Sequence, residues 1–402
     1  MTTELDLDGL AVAARADLER SLVAEPPDLG VLRRARARRR SLVAAVIVAV
    51  ALIGLVPILR GSDQPSQVTA GPADAGPDGE PANADLLAPG ASRPTAPSPL
   101  EGRSTMAAVW TGDAVVIWGG DSERGQFADG AAYDPRSDTW TTLSPGPLSA
   151  RNAPAAVWTG DEVLFWGGSA TDGDGRDGAA YRPSTGTWRR IADAPIESAG
   201  RPVGVWTGTE LIVLAGFNSS EVAAYDPAAD RWRRLPDLPS NLAPPNTAAV
   251  WTGRGVVALV QSGRSGEGAP QLVSWDAGAD GWDHLGSVPR ASGVLAWTGR
   301  SLLVATADQV LERREGDLVP VATVPDGLVV GDTSGAWTGT ELVLWRGDEA
   351  SVVDPEAGTW ERISAGGGPN RIQPAFAWAD GVLVGWGGFP QQATGVVFRT
   401  PG

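Results

Sequence analysis

The sequence predicts an all-β protein, a seven-bladed β-propeller preceded by a single N-terminal transmembrane helix. Three observations predict this class. Apolar runs flanking a Trp-Thr-Gly turn recur every 40–48 residues in the last 300 residues. A Tyr-Asp-Pro turn followed by a second Trp recurs in most of the same units. An 18-residue run without charge, 42–59, precedes them. Repeated units of this size, each too small to bury its own apolar faces, are typical of propeller blades.

The apolar run 42–59 predicts a membrane span. As a helix it reaches about 27 Å, close to the roughly 30 Å of a hydrocarbon core. Six arginines lie between Arg33 and Arg40, whereas only Arg60 follows closely. The positive-inside rule therefore predicts a cytoplasmic tail over 1–41 and export of everything after residue 60.

A cleaved signal peptide is the alternative interpretation of this run. Its N-terminal region would be about 40 residues long, against about 15–30 residues for a whole signal peptide. No small-x-small cleavage site follows directly, although Val68-Thr69-Ala70-Gly71 is a weak one. The uncleaved anchor, giving a type II single-pass membrane protein, is therefore the favoured interpretation.

Residues 60–82 are rich in Pro, Ala, Gly, Ser and Asp and predict a flexible stalk. Residues 1–60 hold nine Arg and seven acidic residues, and the remainder holds 23 Arg and 41 acidic residues, a net charge of −18. We expect no nucleic-acid partner for so acidic an exterior, and contact with the membrane through 42–59.

The repeat units predict a propeller over 83–402, with blades that start near residues 107, 155, 203, 248, 294, 334 and 375. Each unit divides into four short strands. Thr-Gly predicts a tight turn between the first two strands, and Asp-Pro a turn between the last two. A Gly-Gly pair closes the second strand, where a positive φ or a close backbone approach suits glycine. The Tyr of the third strand and the Trp of the fourth are expected to pair across their hairpin.

The seventh unit contains only three strands, because the chain ends four residues after Phe398. We therefore predict that its fourth strand comes from an early segment within 83–98. Pro94 and Pro97 are tolerable there, since the outermost strand of a blade is a sheet edge.

Composition excludes several chemistries. The chain has no Cys and one His, His284, so disulfides, thiolate metal sites, Cys nucleophiles and His-rich metal cages are excluded. We expect no cofactor and no enzymatic activity. The basic residues are all Arg, which together with the Ala, Gly and Pro content suggests a GC-rich bacterial genome.

These residues resemble the kelch repeat, in which an apolar strand ends in Gly-Gly and is followed by Tyr-Asp-Pro and then Trp. The resemblance covers Glu101 to Gly402 and is weakest in the fifth unit, which lacks the Gly pair, Tyr-Asp-Pro and the second Trp. The WD40 family is the alternative, but its Gly-His and Trp-Asp signature is missing. In kelch domains that resemble this chain, arginines near the first strand can line the channel mouth and hold acidic groups.

Five arginines occupy such positions. Each precedes the leading Trp of a unit by five or seven residues, and they are Arg103, Arg151, Arg201, Arg290 and Arg371. By the kelch analogy they would form a rim able to bind carboxylates or phosphates. The alternative is that each arginine satisfies loop carbonyls or an acid of a neighbouring blade. The rim lies on the face that carries the loops of variable length, where recognition is usually located.

Two weaker signals accompany the rim. Asp172, Asp174 and Asp177 lie in a Gly-rich loop that can offer oxygen ligands to Ca²⁺, or can be a solvated tip. The tryptophans can stack on sugars, but their fixed repeat positions favour packing between blades.

The sequence thus predicts an extracytoplasmic, membrane-anchored binding or scaffold protein with a peptide, protein or glycan ligand. Two alternatives stay open. Residues 1–32 carry spaced Leu and Val side chains, so the chain could be a transmembrane signalling regulator with a short cytoplasmic tail. It could also be a carbohydrate-active enzyme, such as a glycan lyase or epimerase, on a kelch-like scaffold.

Overall fold

A computed structural model describes residues 87–401, except 174, 199, 218, 240–247, 262–268, 290, 325–333, 347–348 and 365–373. Within these residues the chain is all β, with no α-helix. No helix of this described part is long and apolar enough to cross a membrane. The predicted cytoplasmic tail 1–41, the predicted span 42–59 and the predicted stalk 60–82 lie outside it.

Seven four-stranded antiparallel sheets form the seven blades of a propeller, which confirms the predicted all-β, seven-bladed architecture. Within each blade the strands are named from the innermost to the outermost. Blade 1 contains β2 (Ala107–Trp110), β3 (Val115–Trp118), β6 (Gly130–Asp134) and β7 (Thr139–Thr142). Blade 2 contains β9 (Ala155–Trp158), β10 (Val163–Trp166), β12 (Gly178–Arg182) and β13 (Thr187–Ile191). Blade 3 contains β14 (Val203–Trp206), β15 (Leu211–Leu214), β16 (Val222–Asp226) and β17 (Arg231–Arg234). Blade 4 contains β18 (Ala248–Trp251), β19 (Gly255–Gln261), β20 (Pro270–Asp276) and β21 (Asp283–Ser287).

The last three blades include the fifth unit, whose weak repeat still folds as a blade. Blade 5 contains β22 (Ala291–Trp297), β23 (Leu302–Thr306), β24 (Gln309–Arg314) and β25 (Asp317–Thr323). Blade 6 contains β26 (Ser334–Trp337), β27 (Leu342–Arg346), β28 (Glu349–Asp354) and β29 (Thr359–Ser364). Blade 7 contains β30 (Ala375–Ala379), β31 (Val382–Trp386), β32 (Gly395–Phe398) and β1 (Ser92–Pro94). Four two-residue strands, β4 (Asp121–Ser122), β5 (Gly125–Gln126), β8 (Arg151–Asn152) and β11 (Ser169–Ala170), form two small additional sheets.

The ring closes through its innermost strands and through β1. Each innermost strand lies against that of the next blade, and β30 of blade 7 lies against β2 of blade 1. β1 pairs antiparallel with β32, with Arg93 opposite Val397. An early segment therefore supplies the outer strand of the last blade.

The apolar cores lie between blades and not within them. One core joins Val109 and Trp118 of blade 1 to Val163 and Phe165 of blade 2. Seven such clusters join neighbouring blades of the described chain, including one between blades 7 and 1. A single blade without its neighbours would expose the apolar side chains on both of its faces. Burial of this apolar surface between neighbouring blades therefore stabilises the ring.

The aromatic residues of the repeat pair as the sequence predicted. The Tyr133 and Trp140 rings lie 4.8 Å apart across their hairpin, and the Tyr181 and Trp188 rings 4.9 Å apart. Such pairs contribute about 0.5–1.5 kcal/mol beyond their burial. The Trp140 indole also donates a hydrogen bond to the Ala96 carbonyl, 3.0 Å away on the chain leaving β1. Trp188, Trp232 and Trp282 make the corresponding bond to the preceding blade.

Candidate ligand-binding face

The loops that follow the second strands and the linkers that enter the first strands lie on one side of the propeller. This follows from the up-and-down order of the strands in each blade. We call this side the loop face, defined by the described residues of 95–106, 119–129, 143–154, 167–177, 192–202, 215–221 and 387–394. The opposite side, the turn face, contains the Thr-Gly and Asp-Pro turns.

Arg103 is on the loop face but is buried, with a residual exposure of 1%. Its Nη1 donates to Asp129 Oδ1 at 2.6 Å and to the Gly119 carbonyl at 3.3 Å, and its Nη2 donates to Asp129 Oδ2. Its Nε donates to the Glu101 carbonyl, and the guanidinium lies 3.7 Å from the Phe127 ring centroid. The charge is therefore neutralised within blade 1 and is not offered to solvent.

Arg151 repeats this arrangement in blade 2 and is fully buried. Its two terminal nitrogens each donate to one oxygen of Asp177, both at 2.9 Å. Its remaining bonds go to the Gly167 carbonyl and to Ser149. Burial raises the pKa of Asp177, but the hydrogen bonds and charge of Arg151, with Arg190, more than offset this and lower it. The carboxylate therefore stays ionised well into the acid range.

The backbone of the same two arginines joins neighbouring blades. The Gly388 amide of blade 7 donates to the Arg103 carbonyl at 2.8 Å, and the Gly120 amide of blade 1 donates to the Arg151 carbonyl at 2.9 Å. Gly120 has a φ of 97°, and a β-carbon there would lie 2.6 Å from the Ser104 carbonyl oxygen. This close approach explains the second glycine of the Gly-Gly pair.

Arg201 differs from the two buried arginines. It is half-buried and adopts a left-handed backbone, with a φ of 49°. Thr105 and Ala153, which occupy the same place before their first strands, are also left-handed, and the Ala153 amide donates to the Thr105 carbonyl. The left-handed residue is therefore a repeated feature of the linker in three successive blades. Arg290 and Arg371 lie outside the described residues, so the rim of five arginines stays a prediction.

The predicted calcium site of three aspartates stays a prediction, because one of its members lies outside the described residues. Asp177 is occupied by Arg151, Asp172 is exposed, and Asp174 is not among the described residues. No group of three or more His, Asp or Glu side chains suited to a metal occurs among the residues described. His284 is exposed on β21, an outer strand remote from the channel.

The loops of blades 1 and 2 are linked to each other by polar side chains. Asp121 accepts hydrogen bonds from Thr105 Oγ1 at 2.7 Å and from Asn152 Nδ2 at 2.6 Å. Gln126, at the end of the β4–β5 hairpin, donates to the Ser169 carbonyl and accepts from Thr171. The two loops therefore form one braced surface across both blades.

Phe389 is the feature of this face that the sequence analysis missed. It is 49% exposed and belongs to the loop after the Gly-Gly pair of blade 7. Only one other large apolar side chain among the described residues, Val319 on the outer strand β25, is comparably exposed at 36%. The tryptophans all occupy repeat positions, whereas Phe127, Phe217 and Phe389 lie in loops outside the repeat pattern. This difference between the positions of the Trp and Phe residues was the signal in the sequence that could have identified Phe389.

The comparisons with known proteins bear on the fold alone. A solved structure titled "Structure of YjhT" is similar to this chain with a TM-score of 0.50 and 13% identity, and covers 67% of this chain and 99% of its own. No protein-family model and no curated protein matches the sequence. At this identity the similarity supports the propeller architecture and carries no site residue.

Proposed function

We propose that the chain is a membrane-anchored bacterial propeller of the kelch type that binds a peptide, protein or glycan ligand outside the cell through its loop face. The half-exposed Phe389, on the face where the loops depart from the repeat, is the observation that carries this proposal. Phe389 directly follows Gly388, whose amide is bonded to the Arg103 carbonyl beside blade 1. Exposed aromatic side chains on such a fixed surface are typical centres of binding sites. The run 42–59 with its preceding arginines supports the anchor and its orientation.

The proposed activity is binding without turnover. A general acid needs a carboxyl whose pKa is raised toward neutrality. Among the described carboxyls, Glu341 has a raised pKa, because of burial, but it lies in the turn between β26 and β27 on the turn face. On the loop face, the pKa of Asp177 is lowered and its oxygens are held by Arg151. These observations favour a binding protein over a carbohydrate-active enzyme.

The proposal also changes which arginine is expected to meet the ligand. Arg103 and Arg151 hold the blades. We assign Arg201 to anionic groups of the ligand on its position and its partial exposure alone. It lies at the channel end of its linker and is partly exposed. Its role stays a proposal, as do those of Arg290 and Arg371.

Capture of envelope components with the full-length chain in detergent tests this function. Phe389→Ser should reduce the captured partner at least about tenfold, because central aromatic side chains contribute about 2 kcal/mol or more to an interface. Val319→Ser removes a second exposed apolar side chain of the described residues, on the outer strand β25, and should change capture less than twofold. Equal capture by wild type and Phe389→Ser would exclude this face as the binding site.

A further inference from the structure

A ring of seven tryptophans surrounds the end of the central channel on the turn face. The innermost strand of each blade carries its leading Trp as its last or next-to-last residue, and all seven are partly exposed. Each packs against the core between its own blade and the preceding blade. Because the innermost strands surround the channel, the exposed part of each residue lies around this opening, which we call the turn-face mouth. The ring consists of Trp110, Trp158, Trp206, Trp251, Trp297, Trp337 and Trp378.

Acidic side chains lie beside this ring, on the tight turns that join the first two strands of each blade. Together the seven turns carry six acidic residues and two arginines. The acidic residues are Asp113, Asp161, Glu162, Glu210, Glu341 and Asp380. The face of an indole ring attracts cations, and carboxylates beside it add to that attraction. The turn-face mouth is therefore complementary to a positively charged group.

In blades 2 and 3 the protein pairs the glutamate of this turn with its own arginine. Arg189 directly follows the fourth-strand Trp of blade 2, and its Nη2 donates to Glu162 Oε2 at 2.7 Å. Arg233 holds the same repeat position in blade 3, and its Nη2 donates to Glu210 Oε2 at 2.7 Å. The hydrogen bonds from Arg189 lower the pKa of Glu162, as expected of a carboxylate paired with a cation. A guanidinium on this glutamate is thus a repeated feature of the turn face.

Blade 6 has the glutamate of this turn but lacks the arginine. Glu341 stands where blades 2 and 3 have their glutamate, and Glu361 stands where they have the arginine. Burial raises the pKa of Glu341, and the charges of Asp354 and Glu361 raise it further. None of the ion pairs formed among the described residues includes one of these three carboxyls. Blade 6 therefore presents negative charge that the described part of the chain does not neutralise.

We propose that the turn-face mouth binds a basic segment of a partner protein, whose arginine or lysine occupies in blade 6 the place of Arg189 and Arg233. The incoming cation pairs with Glu341 and Glu361. It lies beside Trp337, the residue that ends β26 immediately before this turn. Further basic side chains of the segment contact the neighbouring tryptophans of the ring. The site is on the side opposite the loop face and does not depend on the function proposed for that face.

Binding of fluorescently labelled tri-arginine to the full-length chain in detergent, at about 0.15 M salt, tests this site by anisotropy. Glu361→Arg supplies the missing arginine from the chain itself and should weaken peptide binding about tenfold or more. Asp193→Arg makes the same change of charge at an exposed position of the loop face and should weaken binding less than twofold. Absence of binding by the wild type, unchanged binding by Glu361→Arg, or equal weakening by both variants would overturn the proposal.

The stability of Glu361→Arg provides a second readout. If blade 6 accepts a guanidinium as blades 2 and 3 do, the new arginine relieves the repulsion among the three carboxyls. The melting temperature at pH 7 should then rise by about 1–2 °C. A lower melting temperature would contradict the proposal. Phe389→Ser should leave tri-arginine binding unchanged, so that failure of the loop-face function and failure of this site can be told apart.

Discussion

At the scale of single residues, Arg103 and Arg151 each make contacts within their own blade and with the preceding blade. The guanidinium of each is held by an aspartate of its own blade, and the carbonyl of each accepts an amide from the preceding blade. A buried arginine is stable only when its charge is paired and its donors are satisfied. Both conditions are met here, and the two side chains therefore hold the loop face in place.

Arg151→Ala should destabilise the protein by about 3 kcal/mol, since it leaves the carboxylate of Asp177 without its buried partner. Arg190→Ala is the matched control. The Arg190 guanidinium is 60% exposed and lies 3.9 Å from the same carboxylate, so its loss should cost less than about 1 kcal/mol. Urea unfolding curves of the two variants measure both values. Similar midpoints for Arg151→Ala and wild type would show that the pair is not structural.

The sequence located these arginines but could not assign their role. Their distance from the leading Trp was visible, and so was the alternative that they bind the protein's own acids. The partners Asp129 and Asp177 each lie 26 residues after their arginine, beyond the first two strands of the blade and the loop that follows them. Only the closed blade brings each pair together. Phe389 was missed because a single exposed aromatic residue has no periodic signal.

At the scale of elements, the segment after β1 is tied to blade 1 as well as to blade 7. Asp138 Oδ1 accepts a hydrogen bond from the Ala96 amide at 2.9 Å and from the Tyr133 hydroxyl at 2.6 Å. Arg93 of β1 lies 2.8 Å from the same carboxylate and donates to Tyr133. In blade 3, Asp230 and Tyr225 make the same tie to Ala192 and Arg189 of blade 2. β1 thus occupies the position that a fourth strand occupies elsewhere.

Acid should weaken the tie at Asp138. Burial raises the pKa of this carboxyl. The hydrogen bonds from Tyr133, Ala96 and Arg93 lower the pKa by more than burial raises it, so its net value lies below the ordinary 3.8. The folded protein then binds fewer protons at this site than the unfolded chain. Its stabilisation is present above about pH 4 and is lost as the pH falls through the lowered pKa.

Asp138→Asn should therefore lower the melting temperature at pH 7 and make it less dependent on pH between 4 and 2. Asp113→Asn, on the neighbouring Thr-Gly turn where the side chain is 95% exposed, is the control and should match wild type at pH 7. Differential scanning calorimetry across this range measures both slopes. An Asp138→Asn curve parallel to the wild-type curve would contradict the tie.

At the scale of the whole molecule, the fold follows from where the apolar side chains are. The inner strands carry apolar side chains on both faces, and a single sheet cannot bury both of its own faces. The apolar cores accordingly lie between neighbouring blades. This is why the sequence predicted the blade number even where the fifth unit lacks its signature residues. The register of β1 could not be predicted, because Ser92-Arg93-Pro94 carries no apolar alternation. The register of β1 is determined by its pairing with β32 and by the contacts of Arg93 with blade 1.

The most direct test of the account is a disulfide across the closing pair, in a chain that has no natural cysteine. Pro94 lies opposite Val396 in the ladder of β1 and β32. Pro94→Cys with Val396→Cys should form a disulfide on mild oxidation, detected as a mobility shift on non-reducing gels. Pro94→Cys with Val397→Cys places the second thiol on the other face of the sheet and should not. No cross-link in the first pair, or equal cross-linking in both, would contradict a propeller closed by β1.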